Sequence, residues 1–163
     1  MGAFKNTVDF DVVSVLGLTR ESRRQIVASR YSGFETRLTD ASSKASESMA
    51  VRLPLNTSIA VLSVIYSDIN ISDYIIGELE YNFVNSEKFT IVERKQLDQI
   101  RKEQDFQMSG FVSDNSAVSI GNMLGANIVI TGELTGSGSN QQLTLKAIEV
   151  QTGQIVSMAR EGV

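Results

Sequence analysis

From Pro54 onward, apolar and polar positions alternate between strand and helix rhythms. Ser58 to Ile65 is a nearly continuous apolar run of strand length, the mark of a strand covered on both faces. After the polar stretch Ser67 to Asn70, the spacing predicts a helix over 72–85, with Ile75, Ile76, Leu79, Phe83 and Val84 on one face. Phe89 to Val92 reads as a short strand. Glu93 to Phe106 reads as a highly charged helix with Leu97, Ile100 and Phe106 as its apolar stripe. Ser109-Gly110 breaks it. Asp114 is the expected cap of a third helix holding Ala117, Ile120, Gly121 and Leu124. Gly125 then stands where a glycine of positive φ ends a helix. Asn127 to Thr135, Gln142 to Val150 and Gln154 to Arg160 read as strands joined by the tight turns Gly136–Asn140 and Gln151–Gly153, which force antiparallel neighbours. The order after Pro54 is β-α-β-α-α-β-β-β. The expected fold class is α/β, with a mixed β-sheet of about 4–5 strands and helices packed on it.

Before Pro54, the only proline, the pattern is weaker. Val8 to Leu16 partly alternates, as a strand does. Thr19 to Val27 reads as a short helix capped by Thr19, and Gly33 is expected to break it. Glu35 to Leu53 is helical again, with Leu38, Ala41, Ala45, Met49 and Leu53 three and four residues apart. This Ala- and Ser-rich stripe suits either close packing on a sheet or a partner. The expected organisation is an N-terminal, partly helical extension over 1–55 and an α/β domain over 56–163.

Composition removes many chemistries. The 163 residues include no cysteine and no histidine. Disulfides, thiolate metal sites, Ser-His-Asp and Cys-His catalysis and the usual zinc sites are therefore excluded. Net charge is −4 but uneven: residues 1–55 carry +2 and residues 56–163 carry −6. So acidic a domain is a poor phosphate-backbone binder, and no nucleic-acid partner is expected. No apolar run is long enough for a membrane-spanning helix. Met1-Gly2 leads into polar Lys5-Asn6-Thr7 without the apolar core of a signal peptide. Neither Gly121–Gly125 nor Gly136–Gly138 sits between a strand and a helix N-terminus, as a phosphate loop requires. Asp68, Asn70 and Asp73 form an oxygen-rich stretch without the bidentate Glu of a calcium loop. No cofactor, no metal and no catalytic set is expected.

Two segments have the character of contact surfaces. Arg20, Arg23, Arg24 and Arg30 form the only basic cluster and suit a solvated helix face, an acidic partner surface or anionic lipid headgroups. Residues 104–111 place Phe106, Met108 and Phe111 around a Ser-Gly break, and exposed aromatics and Met favour interfaces. Arg94 lies at a strand-to-helix junction, where its planar fork suits bracing a loop or a neighbouring chain. The candidate interaction residues are thus Arg23, Arg24, Arg94, Phe106, Met108 and Phe111.

Several short elements in order carry a resemblance. They are Ile59-Ala60-Val61-Leu62; Phe89 to Leu97, with Glu93-Arg94 after the strand; Ile100 to Gln104; Met108-Ser109-Gly110; Ala117, Ile120-Gly121 and Leu124-Gly125-Ala126 before Ile128 to Gly132; Leu145 to Val150; and Thr152 to Val156. From Ser58 to Arg160 the chain resembles the CsgG family, which includes the curli secretion channel subunit and the related LpoB-like outer-membrane lipoprotein activators of penicillin-binding proteins. The resemblance implies a non-enzymatic protein-interaction domain of the bacterial cell envelope, periplasmic or outer-membrane-associated, acting as adaptor or regulator. A ring-forming scaffold subunit of a secretion or export assembly is the alternative. The implied partners are an envelope protein and a second copy of the chain, with membrane attachment only through an anchor outside this chain. The channel-forming members carry two long amphipathic hairpins. Here Met108–Asp114 and Gly136–Asn140 are too short for membrane strands of about 9–11 residues, so no pore is expected.

Overall fold

The Leu38–Leu53 stripe belongs to a long helix, α1 (Arg20–Ala50), in which Gly33 is an interior residue and not a break. A glycine inside a helix costs about 1 kcal/mol relative to alanine, too little to stop a helix that its neighbours support. One local contact spans this point, the Thr36 hydroxyl donating to the Ser32 carbonyl at 2.9 Å, and just beyond it the Arg37 guanidinium lies 5.7 Å from the Phe34 ring centre. The computed structural model describes residues 20–103 and 113–163, with side chains for 32–100, 102 and 113–163. The strand expected over 8–16 lies outside the described residues. The chain divides into two units, Met1–Arg37 and Leu38–Val163; the second carries the sheet.

The remaining elements are β1 (Thr57–Ile65), α2 (Ile69–Asn85), β2 (Phe89–Ile91), α3 (Arg94–Glu103), α4 (Asp114–Leu124), β3 (Ile128–Thr135), β4 (Gln142–Glu149) and β5 (Ile155–Gly162). Their order and the α/β class are those read from the sequence. The sheet runs β2-β1-β3-β4-β5. β1 is parallel to both β2 and β3, and the last three strands form an antiparallel meander. The right-handed rule for crossovers between parallel strands, applied to β1→β2 and to β2 back to β3, puts α2 on one face and the α3–α4 pair on the other.

Strand periodicity assigns the core. Ala60, Leu62, Val129, Ile148 and Val150 pack with Leu97 of α3 and with Ala117, Ile120 and Ala126 in and after α4. The alternate residues, among them Ile59, Val61, Ile128 and Ile130, point to the other face and are 0–3% exposed. The α1 residues Leu38, Ala41, Ala45 and Met49 are 0–1% exposed, and a 2.7 Å hydrogen bond between Thr39 Oγ1 and the Tyr74 hydroxyl ties α1 to α2.

Two helix ends repay inspection. Ser113, not the expected Asp114, caps α4: its backbone is extended and its Oγ accepts the Ser116 N–H. Serine reaches that N–H with a shorter side chain, which leaves Asp114 in the first turn, where a carboxylate suits the helix dipole. At the other end Gly125 has φ 68° and ψ 24°, as expected from its place in the sequence. The Ala126 N–H bonds the Gly121 carbonyl at 2.9 Å, closing the turn. A Cβ at position 125 would meet no atom within 4 Å. The cost of Gly125→Ala is therefore conformational only, about 1 kcal/mol, measurable as a lowered urea midpoint at unchanged m-value.

Candidate interaction groove

The helices cover only one half of their sheet face, because the strands run on past the α4 N-terminus. The uncovered half is built from rows of paired residues. Ser63, Thr131, Lys146 and Met158 lie side by side across four strands. Beyond them run Ile65, Glu133, Thr144 and Arg160. A shift in the β1–β3 register between Val61 and Ser63 creates this floor. It inserts Leu62 as an extra residue, so Leu62 packs under the helices while Ser63 also faces the helix side. Such a bulge re-aims a side chain that strict alternation would send to the opposite face.

Together with Ser113, Asp114 and Asn115 at the start of α4, the residues of both rows other than Arg160 line an open groove of about 510 Å³. Lys146 Nζ donates to Asp114 Oδ1 at 2.5 Å, fixing the helix start against the sheet. The lysine side chain is 28% exposed and the aspartate 49%, so the pair contributes roughly 0–1 kcal/mol and mainly sets geometry. At the far end of β1 the Tyr66 hydroxyl accepts from Gln141 Nε2 at 3.0 Å, tying β1 to the start of β4.

Of the candidate residues named from the sequence, Phe106, Met108 and Phe111 lie outside the described residues. Arg23 and Arg24 fall in α1, and their side chains lie outside them as well. Arg94 opens α3, and its Nη2 donates to Asp73 Oδ1 of α2 at 2.6 Å. It braces two helices of its own chain. Asp73 is occupied by this pair, and Asp68 caps α2 by accepting the Asn70 N–H. Among the described residues no three acidic groups gather as a metal site would need.

Arg94 also acts on Glu80. Burial raises the Glu80 carboxyl above its ordinary 4.5, and the Arg94 charge lowers it in part. The folded protein then holds this proton more tightly than the unfolded chain. As pH rises past 4.5 the unfolded state ionises first, so stability falls with rising pH until the folded carboxyl also ionises. Glu80→Gln removes that slope. The melting temperature of the variant relative to wild type should be higher at pH 7 than at pH 4; an equal difference at both would contradict the assignment.

Sequence reasoning missed the groove because its floor joins residues from four separate strands. The available signal was polar interruption of apolar strands: Ser63 within Ile59–Ile65, and Thr131 after Ile128-Val129-Ile130.

The family described as Curli production assembly/transport component CsgG matches residues 69–144, from the start of α2 into β4. No curated protein sequence matches the chain. Among solved structures, the LpoB C-terminal domain from Salmonella enterica aligns with a TM-score of 0.67 at 20% identity, over 77% of this chain and 97% of that one. The LpoB C-terminal domain from Escherichia coli gives 0.62 at 20% identity, over 75% and 97%. Lipoprotein GNA1162 from Neisseria meningitidis gives 0.51 at 13% identity, over 66% and 79%. The resemblance read from the sequence is borne out: the matched segment is CsgG-like, and the fold is that of the LpoB C-terminal domains.

Proposed function

We propose that this chain is a non-enzymatic protein-interaction domain of the bacterial cell envelope, periplasmic or outer-membrane-associated, which acts as an adaptor or regulator of an envelope protein. The observation that carries this reading is the coincidence of the CsgG match over 69–144 with a fold that spans 97% of the LpoB C-terminal domain. The composition agrees, since neither histidine nor cysteine is available for catalysis. Among the described residues no helix is long and apolar enough to cross a membrane. The test is in-cell cross-linking with fractionation, using the native gene. Recovery in the envelope fraction with a reproducible cross-link to one envelope protein is expected. Recovery in the cytoplasm alone would overturn the reading.

A further inference from the structure

We infer that the groove between α4 and the uncovered half of the sheet is the docking site, and that it takes an extended segment of the partner protein bearing a basic side chain. This rests on the protein-interaction reading and adds a place and a chemistry to it. The first observation concerns the floor. Ser63 and Thr131 are 6% and 8% exposed, sit opposite each other on paired strands and both line the groove. Among the described residues neither hydroxyl has a side-chain hydrogen-bond partner, yet neither is enclosed as an unsatisfied buried atom. Both therefore open toward the groove, where water serves them in the free protein. An unpaired buried hydroxyl is costly, so an occupant that displaces this water must supply hydrogen-bonding groups in its place.

The second observation is charge. Lys146 is committed to Asp114. Glu133 forms no ion pair among the described residues. Arg160, in the same row, stands opposite Thr144 on the outer strand β5 and does not line the groove. The uncommitted charge within the groove is thus one carboxylate, which complements one cation. Ile65 and the 49%-exposed Met158 add apolar surface at the two ends of the rows, and methionine adapts to varied side chains. Neighbouring strands present these groups at intervals of about 4.8 Å. The groove is open along its length, whereas a small metabolite needs enclosure of most of its surface. An extended peptide meets all of these conditions.

The test uses the full chain, isotopically labelled, and three pools of capped hexapeptides with lysine, norleucine or glutamate fixed at the third position. The lysine pool should shift the amide resonances of residues 63, 131, 133, 144 and 146, and Glu133→Gln should weaken its binding roughly tenfold. Glu133 is exposed, so this variant should keep the wild-type melting temperature, and Lys88→Gln, remote from the groove, serves as the control. Equal binding of the glutamate pool, shifts confined to other residues, or full binding by Glu133→Gln would overturn the proposal. So would shifts at the same residues with a chitin tetrasaccharide and none with any peptide pool. If no pool binds while the in-cell cross-link to an envelope protein persists, the groove assignment fails and the interaction reading stands.

Discussion

Truncating Phe83 to alanine should lower stability by about 3–5 kcal/mol, the largest effect expected of any single core substitution here. Phe83 is 1% exposed. Its ring meets Phe89 edge-on, with centroids 5.8 Å apart and planes at 80°, a geometry that adds about 0.5–1.5 kcal/mol to simple burial. The consequence is local as well as global. β2 is an edge strand of three residues, paired to β1 through Thr57–Phe89, Ser58–Thr90 and Ile59–Ile91. Phe89 anchors that strand to α2 through Phe83. The variant should therefore show a lower urea midpoint together with early amide exchange at residues 89–91. A loss below about 1 kcal/mol would show that α2 and β2 close over the cavity and that the aromatic pair is dispensable.

The second large effect is expected at Gly121, on the face of α4 that meets the sheet. A Cβ there would stand 2.6 Å from Val150 Cγ2 and 2.7 Å from Val129 Cγ1. Both atoms belong to short, branched side chains that are 6% and 0% exposed, so neither can swing clear. Gly121→Val must lift the helix, at a cost of about 1–3 kcal/mol or more. Because Asp114 at the same helix's start holds Lys146, the lift should also open the groove. The signature is a melting temperature several degrees lower, accompanied by amide shifts at residues 144–146. Destabilisation without those shifts would mean that the groove does not depend on the seating of α4.

What the sequence made legible follows from how local each signal is. The buried strand at Ser58–Ile65 and the left-handed Gly125 were readable because burial on both faces and helix termination leave marks within a few residues. The α1 stripe was readable as spacing, but Gly33 was misread as a stop. Its penalty is small beside the support of a 31-residue helix. Asp114 was misread as a cap because serine and aspartate both cap well, and only the backbone geometry at Ser113 distinguishes them. The groove left no local mark. Ser63 and Thr131 become neighbours only through the β1–β3 register, and a one-residue bulge sets that register. The Arg94–Asp73 and Lys146–Asp114 pairs are likewise products of the fold, at separations of 21 and 32 residues.

The same topology governs the order in which the molecule can be made. β1 is the central parallel strand, yet its longer pairing is with β3; the junction residues Ser58 and Asn127 that bond across it are 69 positions apart. β2 arrives sooner but offers three residue pairs. At a synthesis rate of roughly 5–20 residues per second, β1 leaves the ribosome about 4–14 s before β3. For that interval one of the most apolar stretches of the chain has a single short partner, while the β3–β4–β5 meander, joined by tight turns, can close within microseconds of its own release. The last third of the polypeptide therefore supplies the template on which the first strand completes its longer pairing, and until it emerges that strand has only β2 to pair with. Such a delay favours capture of the nascent chain by a holding chaperone.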